Sequence, residues 1–399
     1  MTKGLDQAVD AGDAEKLRAI VREARIVVCC GAGGVGKTTT SGALALAAAS
    51  LGRKVLVLTI DPSKRLAETL GVSRNPPKPV PVELERLGLA GRGASAGSLD
   101  AWMLDPKLIA DEAVRRIVRN PTEVEKLLQN RIYQSVTTMV AGMHEYTAMQ
   151  ALHRFVEENR YDLVVLDTPP SRHALDFLEA PGRLSRFLDG RVFRMFMPSE
   201  QGSSAFGGLK RAAGGLVHRV LNGVLGPEFS SDLTVFFGVF AGVLGTISRD
   251  VTGMREFLSR PEVSFLLISS PAAAALEEAL FFQDKTRELK LPFRGFLLNR
   301  SHAADAERAF PDAAGLSPSG GELSPAARSG LEKLGRLAAA ERELITRDQK
   351  LLGDLKRRAG EGGFAVALPT LSFAPAADGG RDELAALGML AKRILGTAH

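Results

Sequence analysis

The chain has 399 residues, with 51 Lys and Arg against 46 Asp and Glu and a net charge of +5. Apolar residues make up 45% and charged residues 24%, ordinary usage that excludes a wholly disordered, collagen-like or coiled-coil chain. The two cysteines, Cys29 and Cys30, are adjacent, which excludes a disulfide framework and a Cys-x-x-Cys zinc pair. The opening MTKGLDQAVDAGDAEKL lacks the apolar run of a secretory signal, so a cytoplasmic setting is the expectation.

In chain order, apolar runs that read as buried strands are Ile26–Cys30, Lys54–Ile60, Leu163–Leu166, Val263–Ser269, Phe293–Leu298 and Phe364–Leu368. They alternate with helical patterns, which predicts an α/β fold with a mostly parallel sheet flanked by helices. The long gaps carry helical spacing at Pro106–Arg119, Glu123–Glu158 and Ser230–Ser259. The expected organisation is a single domain over 1–399 with helical insertions near 105–160 and 180–258. Arg74–Gly97, rich in Pro and then Gly, reads as a surface loop, and Ser199–Gly215 as a Gly/Ser-rich segment. Leu233–Ser248 is uncharged but shorter than the roughly 20 residues a membrane span needs, and reads as a core helix.

Gly31-Ala32-Gly33-Gly34-Val35-Gly36-Lys37-Thr38 fits G-x-x-x-x-G-K-[ST], and Thr39 extends it. A strand pattern precedes the loop and a helical one follows, the context the motif requires. Glycines let successive backbone N–H groups turn toward phosphate oxygens, and the helix N-terminus adds partial positive charge. Lys37 is expected to reach the β- and γ-phosphates, and Thr38 to ligate Mg²⁺. Asp167 ends a strand where α/β sheets bind ligands, and is expected to hold Mg²⁺ through water. Asp61 follows its strand in the same way and suits polarising the attacking water; either Asp is also a common helix cap. Cys29 and Cys30 read as packing residues. His144 and His153 lack the spacing of a zinc protease and read as ordinary helix residues.

The motifs GAGGVGKTTT, LTIDPSKRLAETLG, VVLDTPPSRHALDFL and FLLNR resemble those of the anion-transporting ATPase family, which contains arsenite-pump ATPases and ATPases that target tail-anchored membrane proteins. The resemblance implies a P-loop α/β domain with a helical subdomain, usually acting as a homodimer. It implies that Asp61 is the water-activating residue of switch I, that Asp167 begins switch II with His173 inside it, and that Asn299 reads adenine. Asn-Lys-x-Asp is absent at Asn299-Arg300, which favours ATP over GTP. The family's signature lysine is replaced by Ala32. The zinc-binding Cys-x-x-Cys is absent, and adjacent cysteines do not suit an arsenite site. Arg172 is the expected substitute cation, ahead of Lys64 and Arg65, because a guanidinium binds two phosphate oxygens and stays charged.

Arg183–Arg219 holds seven basic residues against two acidic ones, interleaved with Phe187, Phe193, Met195, Phe196, Met197 and Phe206. Soft apolar side chains with basic flanks suit a hydrophobic client segment or a membrane surface. No nucleic-acid motif accompanies them. The expectation is an Mg²⁺-dependent ATPase acting as an intracellular carrier or targeting factor, with peripheral contact at a membrane surface. A regulatory nucleotide switch and a small-molecule phosphotransferase are the alternatives.

Overall fold

In the computed structural model the described residues are 2–59, 78–84, 97–104, 106–134, 143–168, 256–305, 324–371 and 383–397, with single residues at 70, 232, 236 and 253. The chain divides into two compact units. Met1–Met103, Glu158–Ala174 and Ser259–His399 form the first, and Leu104–Glu157 with Leu175–Leu258 the second.

The first unit is built on eight strands: β1 (Ile26–Gly31), β2 (Lys54–Thr59), β3 (Val80–Pro81), β4 (Ser98–Met103), β5 (Leu163–Asp167), β6 (Val263–Ser269), β7 (Phe293–Leu298) and β8 (Phe364–Ala367). Their spatial order is β3-β4-β2-β5-β1-β6-β7-β8. All neighbours pair in parallel except β3, which runs antiparallel to β4. Almost every residue of β1, β2, β5 and β6 is buried, as continuous Val, Ile and Leu runs require when helices cover both faces.

On one face, α1 (Thr2–Glu23), α2 (Lys37–Ser50) and α8 (Glu383–Leu395) close over the sheet through Leu17, Val21, Leu44, Leu46, Leu387 and Leu390. Helix α2 is alanine-rich and buried on most of its circumference, which lets it lie close to β1 and β5. Helices α6 (Ala273–Glu288) and α7 (Pro325–Ala359) also pack on the sheet, α6 against β6 and α7 against β7 and β8. Buried Asp13 ties α1 to the far end of the chain, accepting from Lys356 Nζ and from Ala365 N.

The strand readings hold at Val263–Ser269 and Phe293–Leu298, while β1 and β5 each run one residue further, to Gly31 and Asp167. β4 is absent from the sequence reading. The predicted loop at Arg74–Gly97 contains β3, an edge pair where Pro81 is tolerated because no further strand needs its missing donor.

The second unit contains α3 (Pro106–Ile117), α4 (Pro121–Leu128) and α5 (Met143–Glu157). A continuous helix over Glu123–Glu158 does not form. Asn130 ends it: its Oδ1 accepts from Ile132 N at 2.9 Å and Tyr133 N at 3.1 Å, capping a new turn instead of continuing the old one. Tyr133 is fully buried there and donates to Asp111 Oδ1 at 2.9 Å. Most of Ser230–Ser259 and all of Ser199–Gly215 lie outside the described residues. No helix among the described residues is long and apolar enough to cross a membrane. A parallel sheet with a phosphate-type loop between its central strand β1 and α2 is the P-loop NTPase architecture.

Candidate functional site

The loop from Gly31 to Lys37 leaves the C-terminal end of β1, which lies between β5 and β6. Two glycines are fixed by geometry. A Cβ on Gly31 would collide with the carbonyl oxygen of Ile268 on β6. Gly36 has φ 90°, and a Cβ there would collide with the Asn299 amide nitrogen. Gly36 also occupies the N-cap of α2 and supplies no side-chain cap. The N-terminus of α2 therefore lies in a glycine-lined turn without a side-chain cap, the kind of helix end that favours an anion. Gly33 and Gly34 are exposed at its mouth.

Lys37 folds back across the loop, its Nζ donating to the Ala32 carbonyl at 2.8 Å. Lys37 as a whole is only 7% exposed, so the side chain lies against the turn rather than in solvent. Ala32, where the family resemblance expects a lysine, is buried and contributes that carbonyl. Val35 is buried beneath the turn, and Thr39 is half-buried in the first turn of α2.

Asp167 ends β5 and is fully buried. Its Oδ2 accepts from Thr38 Oγ1 at 2.8 Å and Thr59 Oγ1 at 3.1 Å, and its Oδ1 from Ser41 Oγ at 3.4 Å. The carboxylate and the Thr38 hydroxyl, read separately from the sequence as metal groups, are thus adjacent. Hard oxygen donors, with one carboxylate, suit Mg²⁺, which keeps waters and phosphate oxygens as its remaining ligands. Among the described residues no group of three or more His, Cys, Asp or Glu forms a self-sufficient metal cage. His153 instead lies beside Glu157 on α5, with Nδ1 to Oε2 at 3.4 Å.

Asn299 follows β7 and reaches the loop from the other side. Its Nδ2 donates to the Val35 carbonyl at 2.8 Å, and its backbone N–H to Ser269 O at 2.8 Å. The turn after it is held from α7: buried Asp348 accepts from Ser301 Oγ at 3.2 Å and His302 N at 2.8 Å. Cys29 and Cys30 lie in β1 just before Gly31. Burial pushes the Cys30 thiol up to about 12 and raises Cys29 as well, so both are packing groups rather than thiolates. Thr168 anchors the end of β5 by donating to Cys29 O at 2.8 Å.

The structure thus brings together the loop, Lys37, Thr38, Asp167 and Asn299. Asp61, Lys64, Arg65, Arg172 and His173 lie outside the described residues. Sequence reasoning missed Ser41, Thr59 and Asp348. A crevice of ≈ 380 Å³ lined by Lys16, Ile20, Glu262, Arg294 and Phe364 sits at the opposite, N-terminal edge of the sheet and touches none of these groups.

Residues 24–212 match the family model of the anion-transporting ATPases. This is the family that the loop and strand motifs resemble. Curated relatives include an arsenical pump-driving ATPase of Escherichia coli, 27% identical over 164 residues, covering 40% of this chain and 26% of the relative. An ATPase GET3 of Kluyveromyces lactis is 29% identical over 172 residues, covering 40% of this chain and 46% of the relative. An uncharacterised protein of Streptomyces coelicolor, SCO2128, is 31% identical over 182 residues, 45% of this chain and 42% of the relative. The chain thus spans less than two thirds of the length of each of these relatives.

Proposed function

We propose that this protein is an Mg²⁺-dependent ATPase that couples nucleotide binding and hydrolysis to a conformational cycle. The observation that supports this most strongly is the 2.8 Å contact between Thr38 and Asp167 at the mouth of a loop closed by Lys37. In this reading Gly31–Thr39 bind the phosphates through backbone N–H groups and the α2 N-terminus. Lys37 exchanges its internal carbonyl partner for phosphate oxygens. Thr38 and Asp167 hold Mg²⁺, which, when bound, neutralises charge on the phosphates. Asp61 orients the attacking water; the water's oxygen forms a bond to the γ-phosphorus as the bond to the β–γ bridging oxygen breaks, and the water's proton passes to the phosphate or to solvent, leaving ADP and phosphate. Arg172 supplies the cation that Ala32 does not. All these groups, with both helical insertions, belong to one ATPase domain acting as a homodimer.

Asn299 selects the base. One N–H of its amide is bonded to Val35, and in this reading its carbonyl oxygen accepts from the adenine amino group. Guanine presents a carbonyl at the corresponding position and offers that oxygen no donor. Titration calorimetry tests this: Mg-ATP binds well above Mg-GTP, and equal affinities would remove the adenine assignment.

For the output we infer a carrier or targeting factor for hydrophobic or membrane-bound clients in the cytoplasm. Relatives named GET3 and the basic, Phe/Met-rich segment Arg183–Arg219 support it. A switch without cargo needs only a nucleotide-dependent surface, and a phosphotransferase needs an acceptor pocket beside the γ-phosphate.

A further inference from the structure

Asp167 is fully buried, so the orientation of its carboxylate is set by whichever protein groups donate to it. Among the described residues, hydroxyls from three places do so: Thr38 at the start of α2, Ser41 one turn further along, and Thr59 at the end of β2. Thr38 belongs to the phosphate-loop motif. Thr59 belongs to no motif and precedes Asp61 by two residues. The sheet puts it in place: in the parallel β2–β5 pairing, Thr59 and Asp167 are register partners, so their side chains stand together on one face.

The pattern of donors matters. Thr38 and Thr59 share Oδ2, whereas Ser41 faces Oδ1. The terminal torsion of an aspartate is broad and roughly two-fold, so one hydrogen bond fixes it poorly. A donor on each oxygen, from a helix on one side and a strand on the other, fixes the carboxylate plane before any ligand arrives. Thr59 is 2% exposed, and its hydroxyl is turned to this carboxylate rather than to solvent.

We propose that Thr59 is a positioning residue for the metal site: its hydroxyl, with that of Ser41, holds the Asp167 carboxylate in the orientation that receives a divalent cation beside Thr38. This rests on the Mg²⁺-ATPase reading. Groups that hydrogen-bond a metal-binding carboxylate typically change metal affinity 10- to 100-fold when removed.

The test uses Mn²⁺ as the probe, titrated into the full chain in saturating ADP and followed by electron paramagnetic resonance. Thr59→Val removes the hydroxyl at nearly constant volume, and Thr59→Ser keeps it. ADP affinity in EDTA is measured in parallel. The expected result is Mn²⁺ affinity at least about tenfold weaker in Thr59→Val and in Ser41→Ala, recovery in Thr59→Ser, and unchanged metal-free ADP affinity. Mn²⁺ affinity in Thr59→Val within twofold of wild type overturns the inference and leaves the ATPase reading standing. Thr59→Ser behaving like Thr59→Val also overturns it, as does an equal loss of metal-free ADP affinity, which marks a packing defect. Wild-type protein that binds neither ADP nor Mn²⁺ overturns both.

Discussion

Gly36→Ala is the perturbation whose cost follows most directly from the geometry. At φ 90° the new Cβ meets the backbone in the left-handed region, at about 1–2 kcal/mol. The same Cβ collides with Nδ2 of Asn299. The amide must therefore leave the Val35 carbonyl, and an unpaired buried group costs about 1–3 kcal/mol. Together the loop loses about 2–5 kcal/mol relative to the conformation that binds phosphate, so ATP affinity falls at least about 30-fold by calorimetry. The two contributions separate in an Asn299→Ala background. There the obstructing amide is gone, only the backbone cost remains, and Gly36→Ala costs about 1–2 kcal/mol. Binding by Gly36→Ala within threefold of wild type would refute the reasoning. An identical cost in both backgrounds would show that Asn299 and Gly36 are not in contact.

Other expectations concern the thiols, the missing lysine and the basic segment. With Cys30 at about 12, about one molecule in 10⁴ carries its thiolate at pH 8, so a thiol reagent labels neither cysteine until denaturant is added. Rapid stoichiometric labelling of folded protein contradicts this. Both thiols, and the Tyr133 and Tyr161 hydroxyls, have pKa values raised chiefly by burial. Their neutral forms contribute stability that is complete below the unfolded-state values and is lost above about pH 9, which melting temperature against pH reads out; a flat profile to pH 11 would contradict it. In single-turnover hydrolysis, Arg172→Ala falls by a large part of the 10³–10⁵ an arginine finger supplies. If Arg172→Ala and Arg65→Ala both stay within about threefold of wild type, neither replaces the lysine. Deleting 191–215 leaves basal hydrolysis intact and weakens co-sedimentation with anionic vesicles and binding of apolar helices; unchanged binding to both removes this segment as the partner surface.

Local chemistry made the phosphate loop legible. Its glycines are demanded by its own backbone, by β6 and by Asn299 after β7, and its lysine closes the turn five residues back. Strands buried on both faces were legible for a similar reason, because burial leaves a continuous apolar run. β4 escaped because Asp100 interrupts its run; that half-buried aspartate accepts from Tyr161, 61 residues later, at 2.7 Å. Thr59 and Asp348 escaped for the same reason. Thr59 meets Asp167 across 108 residues, and Asp348 meets the turn after Asn299 across 46 and 47. No local periodicity marks either position. The helical spacing over Glu123–Glu158 does form helix at both ends but is interrupted at Asn130, where a single side-chain carbonyl accepts from two backbone N–H groups.

The central claim is tested most directly by phosphate release from ATP by the purified chain, with and without Mg²⁺, for wild type and Lys37→Ala. The account predicts Mg²⁺-dependent turnover by wild type and none by Lys37→Ala. Turnover that survives Lys37→Ala, or wild-type protein that neither binds nor hydrolyses ATP, would contradict it.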